Sequence, residues 1–105
     1  MALPALQQAV AEFVTAHGLE TSTEVRLLDL VSEVGELAKE ALKATGYGRE
    51  AFAPTEAWAD ELGDTLFSLI CVANGTGIDL ETSLRTALEK YEQRLRLRGA
   101  AGSGR

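Results

Sequence analysis

The 105-residue sequence predicts an all-α fold, an antiparallel four-helix bundle, on three observations. Apolar residues recur at spacings of three and four in four separate stretches, the period of a helix that buries one face. No run alternates with period two for long enough to make a strand. The connections between the stretches are short, and the composition, rich in Ala, Leu and Glu with two prolines, favours helix.

The first helix is predicted over residues 3–17. Leu3, Leu6, Val10, Phe13 and Val14 form its apolar stripe, Pro4 suits its first turn, and His17-Gly18 closes it. The second opens at Thr21-Ser22-Thr23-Glu24, which has the pattern of a reciprocal hydroxyl–glutamate cap. It continues through Leu27, Leu28, Val31, Val34, Leu37, Ala38, Ala41 and Leu42 to about Gly46. Residues 45–54, with two glycines, two aromatics and a proline, are the one substantial loop and the natural mobile segment. A third helix is predicted from Pro54 to about Asn74, with Trp58, Leu62, Leu66, Leu69, Ile70 and Ala73 on its apolar side; Gly75-Thr76-Gly77 breaks it. Asp79 caps a fourth through Leu84, Leu88, Tyr91 and Leu95. Residues 1–98 read as a single domain and 99–105 as a disordered tail.

The totals bound the function. A single cysteine, Cys71, excludes an internal disulfide and reads as buried and inert. With no signal-peptide pattern and no apolar run approaching the ~18 residues of a membrane span, a cytoplasmic protein without membrane contact is expected. A net charge of −6 argues against nucleic acid as a partner. The charge is also unevenly placed. Residues 20–64 hold eleven of the sixteen acids, and residues 85–105 hold six of the ten bases. An acidic middle and a basic end suit a ligand made of metal and phosphate, although most such residues in any helical protein are solvated faces. A chain this short buries a modest share of its surface, so association into a homodimer or homotetramer is expected.

The chemistry lies in two spaced acid pairs. Glu33-Val-Gly-Glu36 falls on the second helix and Glu61-Leu-Gly-Asp64 on the third. Residues three apart share a helix face, with Cβ atoms about 5–6 Å apart. One such pair is ordinarily solvated surface. Two pairs on neighbouring helices bring four carboxylates together, and their repulsion raises carboxylate pKa values until a cation relieves it. Oxygen ligands without His or Cys select Mg²⁺, with Mn²⁺ able to substitute, over zinc. Each pair carries a glycine in third place, Gly35 and Gly63, at a cost of about 1 kcal/mol relative to Ala. Close approach of a ligand, or tight helix packing, would account for it.

The run Leu27-Leu-Asp-Leu-Val-Ser-Glu33-Val-Gly-Glu36-Leu, followed after a 24-residue spacer by Glu61-Leu-Gly-Asp64-Thr-Leu, resembles the MazG-like family of all-α nucleoside triphosphate pyrophosphatases. The resemblance runs from about residue 20 to 97 and takes in Ile78-Asp-Leu-Glu81 and Leu88-Glu-Lys-Tyr-Glu-Gln-Arg94. It departs from the family pattern at Ser32, where the first Glu of EExxE is expected. The resemblance implies that Glu33, Glu36, Glu61 and Asp64 ligate Mg²⁺, that Glu36 handles the attacking water, and that Lys90 and Arg94 meet the phosphates. The implied reaction converts a nucleoside triphosphate to the monophosphate and pyrophosphate, as in enzymes that clean nucleotide pools.

Other residues are less specific. Trp58, one turn before Glu61, either stacks on a base or fills core, and core is commoner. Asn74 is a candidate substrate contact or a plain C-terminal polar residue; Tyr47 and Phe52 in the loop are further candidates. His17 reads as a cap or surface group. Two rival readings stand beside the main one. One is a related enzyme, a phosphoribosyl-ATP or dUTP/dCTP pyrophosphatase, with the same ligands and a different nucleotide. The other is a non-catalytic helical oligomerisation or nucleotide-binding module, favoured by Ser32 and opposed by the four intact acids.

Overall fold

The computed structural model describes residues 2–98, and the residues expected to form the tail lie outside them. The described residues form four helices: α1 (Leu3–Ala16), α2 (Thr23–Ala44), α3 (Glu56–Gly75) and α4 (Leu80–Arg98). The all-α, four-helix architecture expected from periodicity is present, and no described residue is in a strand.

The helix ends follow from local chemistry, with two corrections. The Ser22 hydroxyl accepts from the Val25 amide at 3.2 Å and caps α2. Because Ser22 is the cap, position three of the helix is Val25, and the reciprocal glutamate expected from Thr21–Glu24 is not used. Helix α3 starts two residues after Pro54, where the Thr55 hydroxyl accepts from the Trp58 amide. Asp79 caps α4 as expected, accepting from the Glu81 amide and the Thr82 hydroxyl. Past the end of α2, Gly46, Tyr47 and Gly48 all have positive φ, at 56°, 61° and 90°. The Gly46 amide reaches the Lys43 carbonyl and the Tyr47 amide the Leu42 carbonyl, a left-handed close that only glycine adopts without strain. Tyr47 is held in the same region by its neighbours.

The packing is built on α3. Helix α2 runs antiparallel to it: Thr23 meets Gly75 at one end, and Glu33 meets Asp64 further along. At Gly75 an added Cβ would lie 3.2 Å from the Thr23 hydroxyl, so the ends of the two helices approach tightly there. Helix α1 is also antiparallel to α3, with Phe13 edge-on to Phe67 at a centroid distance of 6.2 Å. Helix α4 packs on α1 and makes no comparable packing with α2 or α3. The bundle is therefore open. Ile70, Cys71 and Ala73, all on α3, are its buried apolar residues.

A polar clamp joins α1 to the α3–α4 corner. Gln7, 9% exposed, donates through Nε2 to Asn74 Oδ1 at 3.0 Å and to the Ile78 carbonyl at 2.9 Å. Its Oε1 accepts from the Leu80 amide at 2.9 Å, and Asn74 Nδ2 donates to the Gln7 carbonyl at 3.0 Å. Removing one side of such a set leaves buried groups unsatisfied, at about 1–3 kcal/mol. Gln7→Ala is expected to lower unfolding free energy by about 2–3 kcal/mol in urea titration; a loss under about 0.5 kcal/mol would show that the clamp contributes nothing.

Candidate metal centre

The acids of α2 and α3 meet because the two helices are antiparallel in a register that sets Glu33 against Asp64. One carboxylate oxygen each from Glu33, Glu61 and Asp64 lie within 4.8 Å of one another. Glu36 is one turn along and exposed. It is outside this tight group but near enough for its charge to act on both Glu33 and Glu61.

The electrostatics are those of crowded like charges. The Glu33 carboxyl is pushed above the ordinary glutamate value, first by partial burial, then by the charges of Asp64, Glu36 and Asp29, and by a hydrogen bond to Asp64. Glu61 is raised too, by partial burial and then by Glu33, Asp64, Glu36 and Glu40. No cation is among the groups acting on either. Glu61 Oε2 is buried and has no hydrogen-bond partner. An orphaned acceptor inside a carboxylate triad is what a hard divalent cation would satisfy, so the residues present fit Mg²⁺ or Mn²⁺.

Two acids escaped the sequence reading. Asp29 and Glu40 act on Glu33 and Glu61 respectively. With Glu33 and Glu36 they form a stripe at spacings of four, three and four along α2. That spacing was the available signal. The Glu40 side chain is 13% exposed and pairs with Lys43 at 3.3 Å.

The other expected site residues are not all brought here. Trp58 is half-buried one turn before Glu61 and packs edge-on against Phe52 at 5.1 Å between centroids, so an aromatic corner stands beside the acids. Lys90 and Arg94 lie on α4, both over the Tyr91 ring at 5.6 and 5.8 Å, and among the described residues the main packing of α4 is on α1 rather than on the helices that carry the acids. Asn74 is thirteen residues along α3 from Glu61, roughly 20 Å at 1.5 Å per residue, and its amide is committed to Gln7. The tight helix packing considered for Gly35 and Gly63 is absent: a Cβ at either would meet nothing within 4 Å. Room beside each acid pair is left for a ligand or a second chain.

Raised carboxyl pKa values carry a definite pH sign. Between about 4.5, the ordinary value, and the raised folded value, the native state binds more protons than the unfolded chain. Stability then falls as pH rises through that window and the penalty is complete above it. In EDTA at pH 7, Glu61→Gln is expected to melt at or above the wild-type temperature, with the gap closing as pH falls toward 4.5; Mg²⁺ should stabilise the wild type and not the variant. A variant less stable than wild type in EDTA would contradict the repulsion. Gly63→Ala should raise stability by about 1 kcal/mol in the metal-free protein, and a loss instead would mean that its surroundings are not open.

The chain resembles known proteins over most of its length. The family model described as the MazG nucleotide pyrophosphohydrolase domain matches residues 21–97. The uncharacterized protein YpjD of Bacillus subtilis (strain 168) is 37% identical over 68 residues, and the match spans 62% of this chain and 60% of that protein. A crystal structure described as the Bacillus-conserved MazG protein, a nucleotide pyrophosphohydrolase, superimposes with a TM-score of 0.74 at 29% identity, covering 87% of this chain and 89% of the other. The family model takes in both acid pairs and most of α4, and the chain belongs to the MazG nucleotide pyrophosphohydrolase family.

Proposed function

We propose that this chain is a Mg²⁺-dependent nucleoside triphosphate pyrophosphohydrolase, converting a ribo- or deoxyribonucleoside triphosphate to the monophosphate and pyrophosphate. The observation that carries the reading is the Glu33–Glu61–Asp64 triad with an orphaned, buried Glu61 oxygen, in a chain of the MazG family. Such a cluster is unfavourable without a cation and so is an uneconomical way to build a mere structural face.

Glu33, Glu61 and Asp64, with Glu36 beside them, would hold the ion. When bound, it supplies charge neutralisation at the phosphates and acidifies a water. The chain's own residues do the rest. Glu36 is exposed at the edge of the triad and takes the proton of the attacking water on its carboxylate. The water oxygen bonds to the α-phosphorus, the bond from that phosphorus to the α–β bridging oxygen breaks, and pyrophosphate leaves with the bridging oxygen. Lys90 and Arg94 meet the phosphates, Lys as a point charge and Arg through its planar fork. Trp58, steadied by Phe52, offers an aromatic edge to the base. A role in clearing surplus or non-standard nucleotides is part of the same proposal, by resemblance to the family.

The test is pyrophosphate release from a panel of ribo-, deoxyribo- and damaged triphosphates with Mg²⁺, Mn²⁺ or EDTA. Release is expected with either metal and not with EDTA. Glu61→Gln should lose at least ~100-fold, since the ion contributes several kcal/mol. Glu36→Gln should lower kcat while keeping most of the Mg²⁺-induced thermal shift. A folded protein that releases pyrophosphate from none of them would end the hydrolase reading in favour of a binding module.

A further inference from the structure

Glu40 is an acid in the wrong place for the ion. It stands outside the group of carboxylate oxygens that converge within 4.8 Å, yet its charge acts on Glu61. Lys43 Nζ lies 3.3 Å from Glu40 Oε2, and the other oxygen, Oε1, has no hydrogen-bond partner among the described residues. The pair is unlike the ion pairs of α4. Glu81 and Glu92, held by Arg85 and Arg96, are 38% and 65% exposed, as solvated pairs of little energetic weight are. The Glu40 side chain is 13% exposed and that of Lys43 50%, so the acid is drawn in and the ammonium reaches it from the rim.

Register puts this pair beside the aromatic corner. Glu33 meets Asp64, and Thr23 meets Gly75. Seven residues further along α2 from Glu33, and seven back along α3 from Asp64, Glu40 comes level with Ala57 and its neighbour Trp58. Trp58 is half-buried, and Phe52, 44% exposed, meets it edge-on at 5.1 Å between centroids. From Glu36 to Glu40 the axial step is roughly 6 Å at 1.5 Å per residue, comparable to the separation that a ribose imposes between an α-phosphate and its base. A triphosphate held by its phosphates at the acids therefore brings its base between the aromatic rings and the Glu40–Lys43 pair.

What the pair can read follows from its donors and acceptors. An ionised carboxylate only accepts, and an ammonium only donates. Two N–H groups side by side suit the carboxylate, and a carbonyl next to them suits the ammonium. Guanine has this order on its pairing edge: the 2-amino group and N1–H as donors, then O6 as acceptor. Adenine and cytosine present an amino group beside a bare ring nitrogen, whose lone pair would face the carboxylate. Uracil and thymine set N3–H between two carbonyl oxygens, one of which would face it.

We infer that Glu40 and Lys43 read the base, and that the nucleotides this chain selects are those of guanine. The Glu40 carboxylate accepts from N1–H and the 2-amino group, and the Lys43 ammonium donates to O6. The inference rests on the metal and phosphate site proposed above and names the substrate class of that site. Hydrogen bonds to an ionised acceptor are the strong ones, and a site built to pair with a substrate N–H rejects analogues that lack it.

Binding is read apart from turnover with the α,β-methylene triphosphates of guanosine, inosine, adenosine and cytidine, whose α–β bridge resists hydrolysis, titrated in Mg²⁺ by calorimetry. Wild type is expected to bind the guanosine compound about 10–100-fold more tightly than the inosine compound, which lacks only the 2-amino group, and the other two more weakly still. Glu40→Gln turns one acceptor into a donor and should lower the guanosine-to-adenosine ratio at least ~10-fold. Lys43→Met should weaken guanosine and inosine together relative to adenosine. Glu92→Gln, from the exposed pair with Arg96, is the control expected to keep the wild-type ratios. Ratios unmoved in a folded Glu40→Gln overturn the inference, and so does a uniform loss across all four compounds, which is what a merely structural Glu40 would give. Equal binding of the four by wild type, or binding of none, overturns it as well. If Glu40→Gln does not fold, the wild-type gap between guanosine and inosine and its companion loss in Lys43→Met decide, and the absence of either overturns it. Pyrophosphate release from the natural triphosphates separates the two readings. Guanine-selective binding with no release ends only the hydrolase reading, and release with no guanine preference ends only this inference.

Discussion

Repulsion among Glu33, Glu61 and Asp64 is the constraint around which the rest of this molecule is arranged. Three carboxylate oxygens within 4.8 Å oppose the packing of α2 on α3, so that contact must be held by other means. It is held at its ends: the tight approach of Thr23 to Gly75 at one, and the left-handed close at Gly46–Gly48 followed by the Phe52–Trp58 pair at the other. The acids are suspended between. Crowding that would be a defect in a structural helix pair would favour a cation here, because its attraction to each of the three carboxylates offsets their mutual repulsion.

The apolar surface is distributed unevenly as well. A compact monomer would bury the stripes of α2, α3 and α4 together, closing α4 over the bundle. Here α4 leans on α1, and the leucines of α3 and α4 face a cleft. Core in the strict sense is confined to α3.

Much of this was legible in the sequence because it is local. Helix existence and order followed from the 3.6-residue period, and the acid pairs from their three-residue spacing and the glycine within each. Cap choice was less so: Thr21, Ser22 and Thr23 are chemically alike, and which hydroxyl caps α2 depends on where the preceding turn delivers the chain. The wider acid stripe, Asp29 to Glu40, was visible as a period but has meaning only once α3 lies opposite. Gln7 was hidden for another reason. It is a polar residue on the apolar stripe between Leu3 and Val10, and its partners are Asn74, Ile78 and Leu80, about seventy residues away in the chain. Asn74, read as a candidate substrate contact, is drawn into the clamp by that distant partner. Lys90 and Arg94 were expected by motif to meet phosphates, yet motif order along a chain does not say on which neighbour a helix packs, and α4 packs on α1.

The clamp also bears on what counts as the unit of inheritance and folding. The family match begins at residue 21, after α1 has ended. Yet α1 supplies Gln7, which completes the corner between α3 and α4, and Phe13, which covers Phe67. A fragment cut to the family's boundaries would keep all four of the paired acids and leave the Leu80 amide and the Asn74 side chain without their Gln7 partners, at the joint from which α4 departs. The family's boundaries and the packing contacts therefore have different borders, and the shorter stretch lacks the α1 residues that pin the start of α4.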